Sequence, residues 1–70
     1  MPYVGRGDVY YYLGEDQNAI EDYTKAIQKT QNQNYAHAYY SRAFSYRRLG
    51  QHPLANADIA KACYLDSKYC

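Results

Sequence analysis

The chain has no tryptophan, one methionine, one phenylalanine, two prolines and two cysteines in 70 residues. Each scarcity closes off a class of protein. Cys63 and Cys70 are far fewer cysteines than a stapled secreted scaffold uses, so the expectation is a reducing, cytoplasmic compartment and no structural disulfide. Cys63 then reads as a small hydrophobe on a helix stripe, and Cys70 as an exposed thiol able to pair only between molecules. No apolar run approaches the roughly 20 residues of a membrane helix, and Met1-Pro2-Tyr3 leads into glycine, arginine and aspartate rather than the apolar stretch of a signal peptide. No phosphate-cradling glycine loop is present, since Gly5 and Gly7 precede no strand-to-helix turn. His37, His52, Cys63 and Cys70 are spaced by 15, 11 and 7 residues, which matches no compact metal-ligand pair. The expectation is therefore no enzyme, no cofactor and no metal.

What is abundant is tyrosine, eleven residues of it, and self-similarity. Shifted against itself by 36 residues, the chain repeats nine identities: Tyr3/Tyr39, Arg6/Arg42, Tyr10/Tyr46, Leu13/Leu49, Gly14/Gly50, Ala19/Ala55, Asp22/Asp58, Lys25/Lys61 and Ala26/Ala62. One period spanning almost the whole chain means two copies of one supersecondary unit that bury their faces against each other.

Each copy reads as helix, turn, helix. The first helix spans about 2–13, with Pro2 where a missing N–H costs nothing, and Gly14 terminates it. A second, about 17–30, places Ala19, Ile20, Tyr23, Ala26 and Ile27 on one face. Gln31-Asn32-Gln33-Asn34 is a polar connector. The third helix, about 36–49, carries Tyr39, Ala43, Tyr46 and Leu49 and ends at Gly50. Pro53 opens the fourth, with Ala55, Ile59, Ala62 and Cys63 as its inner stripe. Nothing alternates as a strand would. Small residues at Gly7/Ala43, Ala19/Ala55 and Ala26/Ala62 let helix axes approach, and Tyr3, Tyr10, Tyr39 and Tyr46 fill the space around them.

The runs Tyr3-x2-Arg6-Gly7-x2-Tyr10 and Tyr39-x2-Arg42-Ala43-x2-Tyr46 resemble the front half of the tetratricopeptide repeat, and Ala19-x3-Tyr23-x2-Ala26 and Ala55-x3-Ile59-x2-Ala62 resemble its back half. The resemblance covers nearly the whole chain and implies an all-α fold: one domain over 1–70, with repeat one at about 1–34 and repeat two at about 36–70. These would be two stacked helix-turn-helix hairpins, a fragment of a right-handed α-solenoid. Departures are clear. Arg6 and Arg42 stand where leucine is usual, Gln31 and Ser67 where proline is common, and the first repeat exceeds the usual 34 residues by two. Gly7, Tyr10, Gly14, Ala19, Tyr23 and Ala26, with Ala43, Tyr46, Gly50, Ala55 and Ala62, are the expected packing positions.

Arg6 and Asp22 lie 16 residues apart, as do Arg42 and Asp58. A charged pair recurring at one separation predicts one structural bridge per hairpin, with the planar guanidinium pairing bidentately. The resemblance further implies that the first helix of each hairpin lines a concave surface: Val4, Asp8, Tyr11 and Tyr12 from one copy, His37, Tyr40, Phe44, Arg47 and Arg48 from the other. These positions differ between the copies where the packing positions repeat. Tyrosine and arginine are favoured at interface hot spots, so the expected occupant is a peptide or partner protein, with an acidic segment drawn to Arg47 and Arg48.

Three further expectations follow. Residues 1–35 carry three cations against five carboxylates, net −2, while residues 36–70 carry five against two, net +3, which could steer two molecules head to tail. Two repeats fall short of the usual three for a stable stack, so homo-oligomerisation through uncapped ends is the alternative function. Tyrosines interleaved with arginines could also stack single-stranded nucleic acid, but an acidic first half and a net charge of +1 disfavour it. Binding of chaperone carboxyl termini is disfavoured as well, because Gly5 and Ser41 stand where that group carries asparagine.

Overall fold

A computed structural model describes the backbone of residues 3–29 and 34–70. The expected role of Pro2 and the connector at 31–33 lie outside the described residues. Four α-helices follow in order: α1 (Tyr3–Tyr12), α2 (Asp16–Lys29), α3 (Asn34–Arg48) and α4 (His52–Leu65), then a 3₁₀ turn at Ser67–Tyr69. No strand occurs among the described residues. The third helix begins at Asn34, two residues before the expected start, so part of the polar connector is helical.

Each helix packs on the next, α1 on α2, α2 on α3 and α3 on α4, giving two hairpins in series. The hairpin turns are the same device twice. Gly14 and Gly50 adopt φ of 80° and 79°, a left-handed conformation that costs a residue with a Cβ roughly 1–2 kcal/mol. The amide of Glu15 then donates to the Tyr10 carbonyl (2.8 Å) and that of Gly14 to Tyr11 (3.0 Å), while Gln51 donates to Tyr46 (2.9 Å) and Gly50 to Arg47 (3.0 Å). This paired closure satisfies the orphan carbonyls at each helix end.

The core is built from small residues around one large ring. Ala19, Tyr23, Ala26 and Ala38 form a buried cluster, and Tyr3, Val4, Tyr10, Tyr11 and Ile27 pack against it. Gly7 is buried because a Cβ there would lie 2.8 Å from Cε1 of Tyr23, so the glycine is what lets α1 close onto α2. Ala43, Ala55 and Ala62 are buried in the second hairpin, and Tyr10 and Tyr46 are half-buried. Leu49, expected to continue the helical spacing of Tyr39, Ala43 and Tyr46, lies just past the end of α3 and is 40% exposed, since the Gly50 turn carries the chain outward there.

The expectation about cysteine is overturned. Cys63 and Cys70 form an intrachain disulfide with Cα atoms 4.6 Å apart. Asp66 causes this: its extended backbone (φ −153°, ψ 115°) ends α4, and its carboxylate accepts from the Lys68 amide at 3.1 Å, starting the 3₁₀ turn that folds the chain back. Cys63 is therefore a half-buried bridge rather than a packed thiol, and Cys70 is not available for intermolecular pairing. The argument for a reducing compartment loses its cysteine support. The last residues also do more than end the repeat, since the Tyr69 ring lies 4.7 Å from that of Tyr40.

Candidate functional site: an aromatic cleft between the first helices

Each of Arg6 and Arg42, within the packed hairpins, demands a partner, and each hairpin provides one. Arg6 donates from Nε and Nη2 to the two Asp22 oxygens at 2.8 and 2.9 Å. Arg42 donates in the same way to Asp58 at 2.7 and 2.8 Å. The acids are buried, whereas the Arg42 side chain is 15% exposed and the Arg6 side chain 41%. Pairing with Asp22 raises the Arg6 pKa. For Arg42, burial is the largest influence and works against the charge. The bond to Asp58, its negative charge and the nearby Tyr46 and Tyr39 together outweigh it, so the net shift is upward. Arg42 also donates to Thr24 Oγ1 on α2 at 3.0 Å, tying the hairpins together.

With the arginines held on the packing side, α1 and α3 leave a cleft of about 290 Å³ between them. It is lined by Asp8, Tyr11 and Tyr12 from α1, Tyr23 from α2, and His37, Tyr40, Ser41 and Phe44 from α3. Tyr11 and Tyr12 meet edge to face at 5.6 Å, and Tyr40 and Phe44 at 4.9 Å, geometries that suit the ring quadrupole. The Tyr23 hydroxyl donates to Asp8 Oδ1. Burial, reinforced by that bond, raises the Tyr23 pKa and keeps the phenol neutral. His37 Nε2 lies 3.5 Å from Asp8 Oδ2 and 3.3 Å from Ser41 Oγ.

Six of the nine residues expected on the concave surface thus come together: Asp8, Tyr11, Tyr12, His37, Tyr40 and Phe44. Tyr23 and Ser41 join them without having been expected. Val4 packs against the core rather than lining the cleft. Arg47 is exposed beside it, its guanidinium 5.6 Å from the Phe44 ring.

Arg48 differs most from its expected role of drawing a partner's acidic segment, because its charge is already engaged within the chain. It donates from Nε and Nη2 to Asp16 at 2.8–3.1 Å and from Nη2 to the Tyr11 carbonyl, and lies 3.9 Å from the centre of the Tyr11 ring. The bond to Asp16 raises its pKa. The reason is topological. α2 and α3 are antiparallel, so the first turn of one and the last turn of the other share an end of the stack. Asp16 and Arg48 also suit the dipoles of those termini. That juxtaposition was the available signal for the pair.

Comparisons with known families bear on the repeat itself. A model described as TPR repeat matches residues 7–50, and one described as tetratricopeptide repeat matches residues 36–69. The TPR repeat-containing protein MJ1428 of Methanocaldococcus jannaschii is 45% identical over 49 residues, covering 70% of this chain. The chain spans only 8% of that relative's length. No solved structure matches significantly. With both hairpins, their glycine-closed turns and the matched residues in hand, the chain belongs to the tetratricopeptide repeat family.

Proposed function

We propose that this chain is a non-catalytic interaction module that receives a peptide segment or a partner's surface in the cleft between α1 and α3. Repeats of this family generally mediate protein–protein interaction. The observation that carries the finer reading is the convergence of Tyr11, Tyr12, Tyr40 and Phe44 in one open cleft, whose floor is the core residue Tyr23 and whose Tyr11 also packs against the core. Rigid aromatic area of this kind contributes binding energy at small entropic cost. An acidic residue of the partner would find Arg47 at the rim, whereas Arg48 is engaged by Asp16. We read residues 1–70 as one such domain, with repeats at about 1–34 and 36–70, acting as a scaffold element.

The test is affinity capture with the Tyr12→Ala/Arg47→Glu double variant as control. Both residues are exposed, so helicity should be retained. Loss of a specific partner supports the reading, and capture unchanged by the double variant sinks it.

A second reading, assembly through the ends of the stack, has its own observation. Val9 and Leu13 on the α1 side, and Leu54, Tyr64 and Leu65 on the α4 side, are 39–82% exposed. Association through these faces would make the melting temperature rise with protein concentration, and a constant value between micromolar and millimolar protein would exclude it.

A further inference from the structure

The charge inside the cleft is opposite to the charge at its rim. Among the described residues no lysine or arginine lines it, and the one formal charge there is the carboxylate of Asp8. One Asp8 oxygen accepts from Tyr23, the other faces His37 at 3.5 Å, and the side chain remains 37% exposed. The rings around it are placed to receive a cation. Arg48 already lies over Tyr11 at 3.9 Å and Arg47 over Phe44 at 5.6 Å, each from outside the cleft. Arg48 brings no free charge, because Asp16 neutralises it. Tyr12 is 84% exposed and keeps most of its ring area available. A carboxylate among aromatic faces binds a cation by direct pairing and by the ring quadrupole together.

We infer that the cleft takes a basic side chain of a peptide partner, its cationic head on Asp8 and its aliphatic stem along Tyr12 and Tyr40. This rests on the peptide-binding reading above and deepens it by fixing the sign of the recognised charge. The volume of about 290 Å³ suits one long side chain rather than a folded surface. An acidic residue elsewhere in the same peptide could still meet Arg47, so the two contacts are compatible.

Three blocked pentapeptides, acetyl-Gly-Gly-X-Gly-Gly-amide with X as arginine, glutamate or norleucine, test the inference by NMR titration of the whole chain. The arginine peptide should bind about tenfold more tightly than the norleucine peptide, shifting the Asp8, Tyr12 and Tyr40 resonances. The preference should shrink in added salt. Asp8→Asn should reduce it to near unity. Because Asp8 also holds Tyr23, the exposed Tyr12→Ala serves as a second variant and should weaken the arginine peptide severalfold while leaving the spectrum folded. Preference for glutamate, or equal binding of norleucine, overturns the cation inference but leaves peptide binding in the cleft standing. Arginine binding indifferent to both variants overturns it too. If no peptide moves the cleft resonances at millimolar concentration, both readings fall.

Discussion

In the first hairpin, Gly7 and Asp8 on α1 face Tyr23 on α2; at the same register the second hairpin has Ala43, Phe44 and Ile59. The smaller residue on the first helix goes with the larger one on the second, so the copies keep a similar filling with its volume shifted between helices. The polarity differs as well. The first hairpin's Tyr23 hydroxyl needs an acceptor and has Asp8, whereas the second hairpin has hydrocarbon at both positions. Burial differs for another reason. Val9 is 45% exposed but its counterpart Ser45 is 0%, and Arg6 is more exposed than Arg42. α3 lies between α2 and α4, while α1 has α2 on one side. Place in the stack, as much as residue type, decides what a position experiences.

The ion pairs give the sharpest way to break this comparison. Asp58→Asn leaves Arg42 deep in the stack without its partner, and such one-sided removal costs roughly 3–5 kcal/mol. That approaches the whole stability expected of a chain this small, so circular dichroism at 25 °C should show most of the helicity lost. Asp22→Asn strands the more exposed Arg6 and should leave a folded protein with a lowered melting temperature. Equal losses would mean that stack position does not set the strength of the bridge.

The second difference lies at the far end. Where the first hairpin is followed by α3, the second is followed by the disulfide-closed turn and Tyr69 on Tyr40. For cysteines 7 residues apart, loop-closure entropy gives about 2–3 kcal/mol in the chain-entropy picture. Reduction, or Cys70→Ser, should lower urea-unfolding stability by up to that amount and release Tyr69. Unchanged Tyr69 ring shifts after reduction would show that packing, not the bridge, holds the turn.

What recurs at the 36-residue shift was legible before the fold: the hairpins, the glycine turns and the partners of Arg6 and Arg42. What occurs once was not. Arg48 aligns with Tyr12 and Asp16 with His52, so self-comparison cannot reveal that pair. The disulfide depends on the extended backbone of Asp66, which periodicity does not encode. Ser45 is the hardest case. A polar residue at an interhelix position is fully buried, and its Oγ has no hydrogen-bond partner among the described residues. Most of the cleft could be anticipated because its residues lie on the first helices, whereas Tyr23 reaches it from the second.

The volume exchange supplies the next test. Gly7→Ala should destabilise by about 1–3 kcal/mol through overpacking against the Tyr23 ring, partly offset by up to about 1 kcal/mol of helix propensity. In a Tyr23→Ile background, which recreates the second hairpin's combination, the same change should be neutral or stabilising. A double-mutant cycle by urea unfolding measures the coupling. Additivity of the two changes would remove the claim that these positions exchange volume.

The smallest effect expected is alkaline, and it separates the copies because only the first buries a phenol at this register. Burial and the bond to Asp8 raise the Tyr23 pKa above its ordinary 10.0 in the folded state. The unfolded chain therefore releases that proton at lower pH than the folded one, so stability is intact below about pH 10 and falls as pH rises beyond it. One unit above the ordinary value the loss is about 1.4 kcal/mol. Tyr23→Phe removes the group and should flatten the stability profile between pH 10 and 11. It also removes the hydroxyl that Asp8 accepts from, so its offset at neutral pH reports that bond separately. A profile as steep in the variant as in the parent would place the alkaline sensitivity elsewhere and would make the polar filling of the first hairpin incidental to its stability.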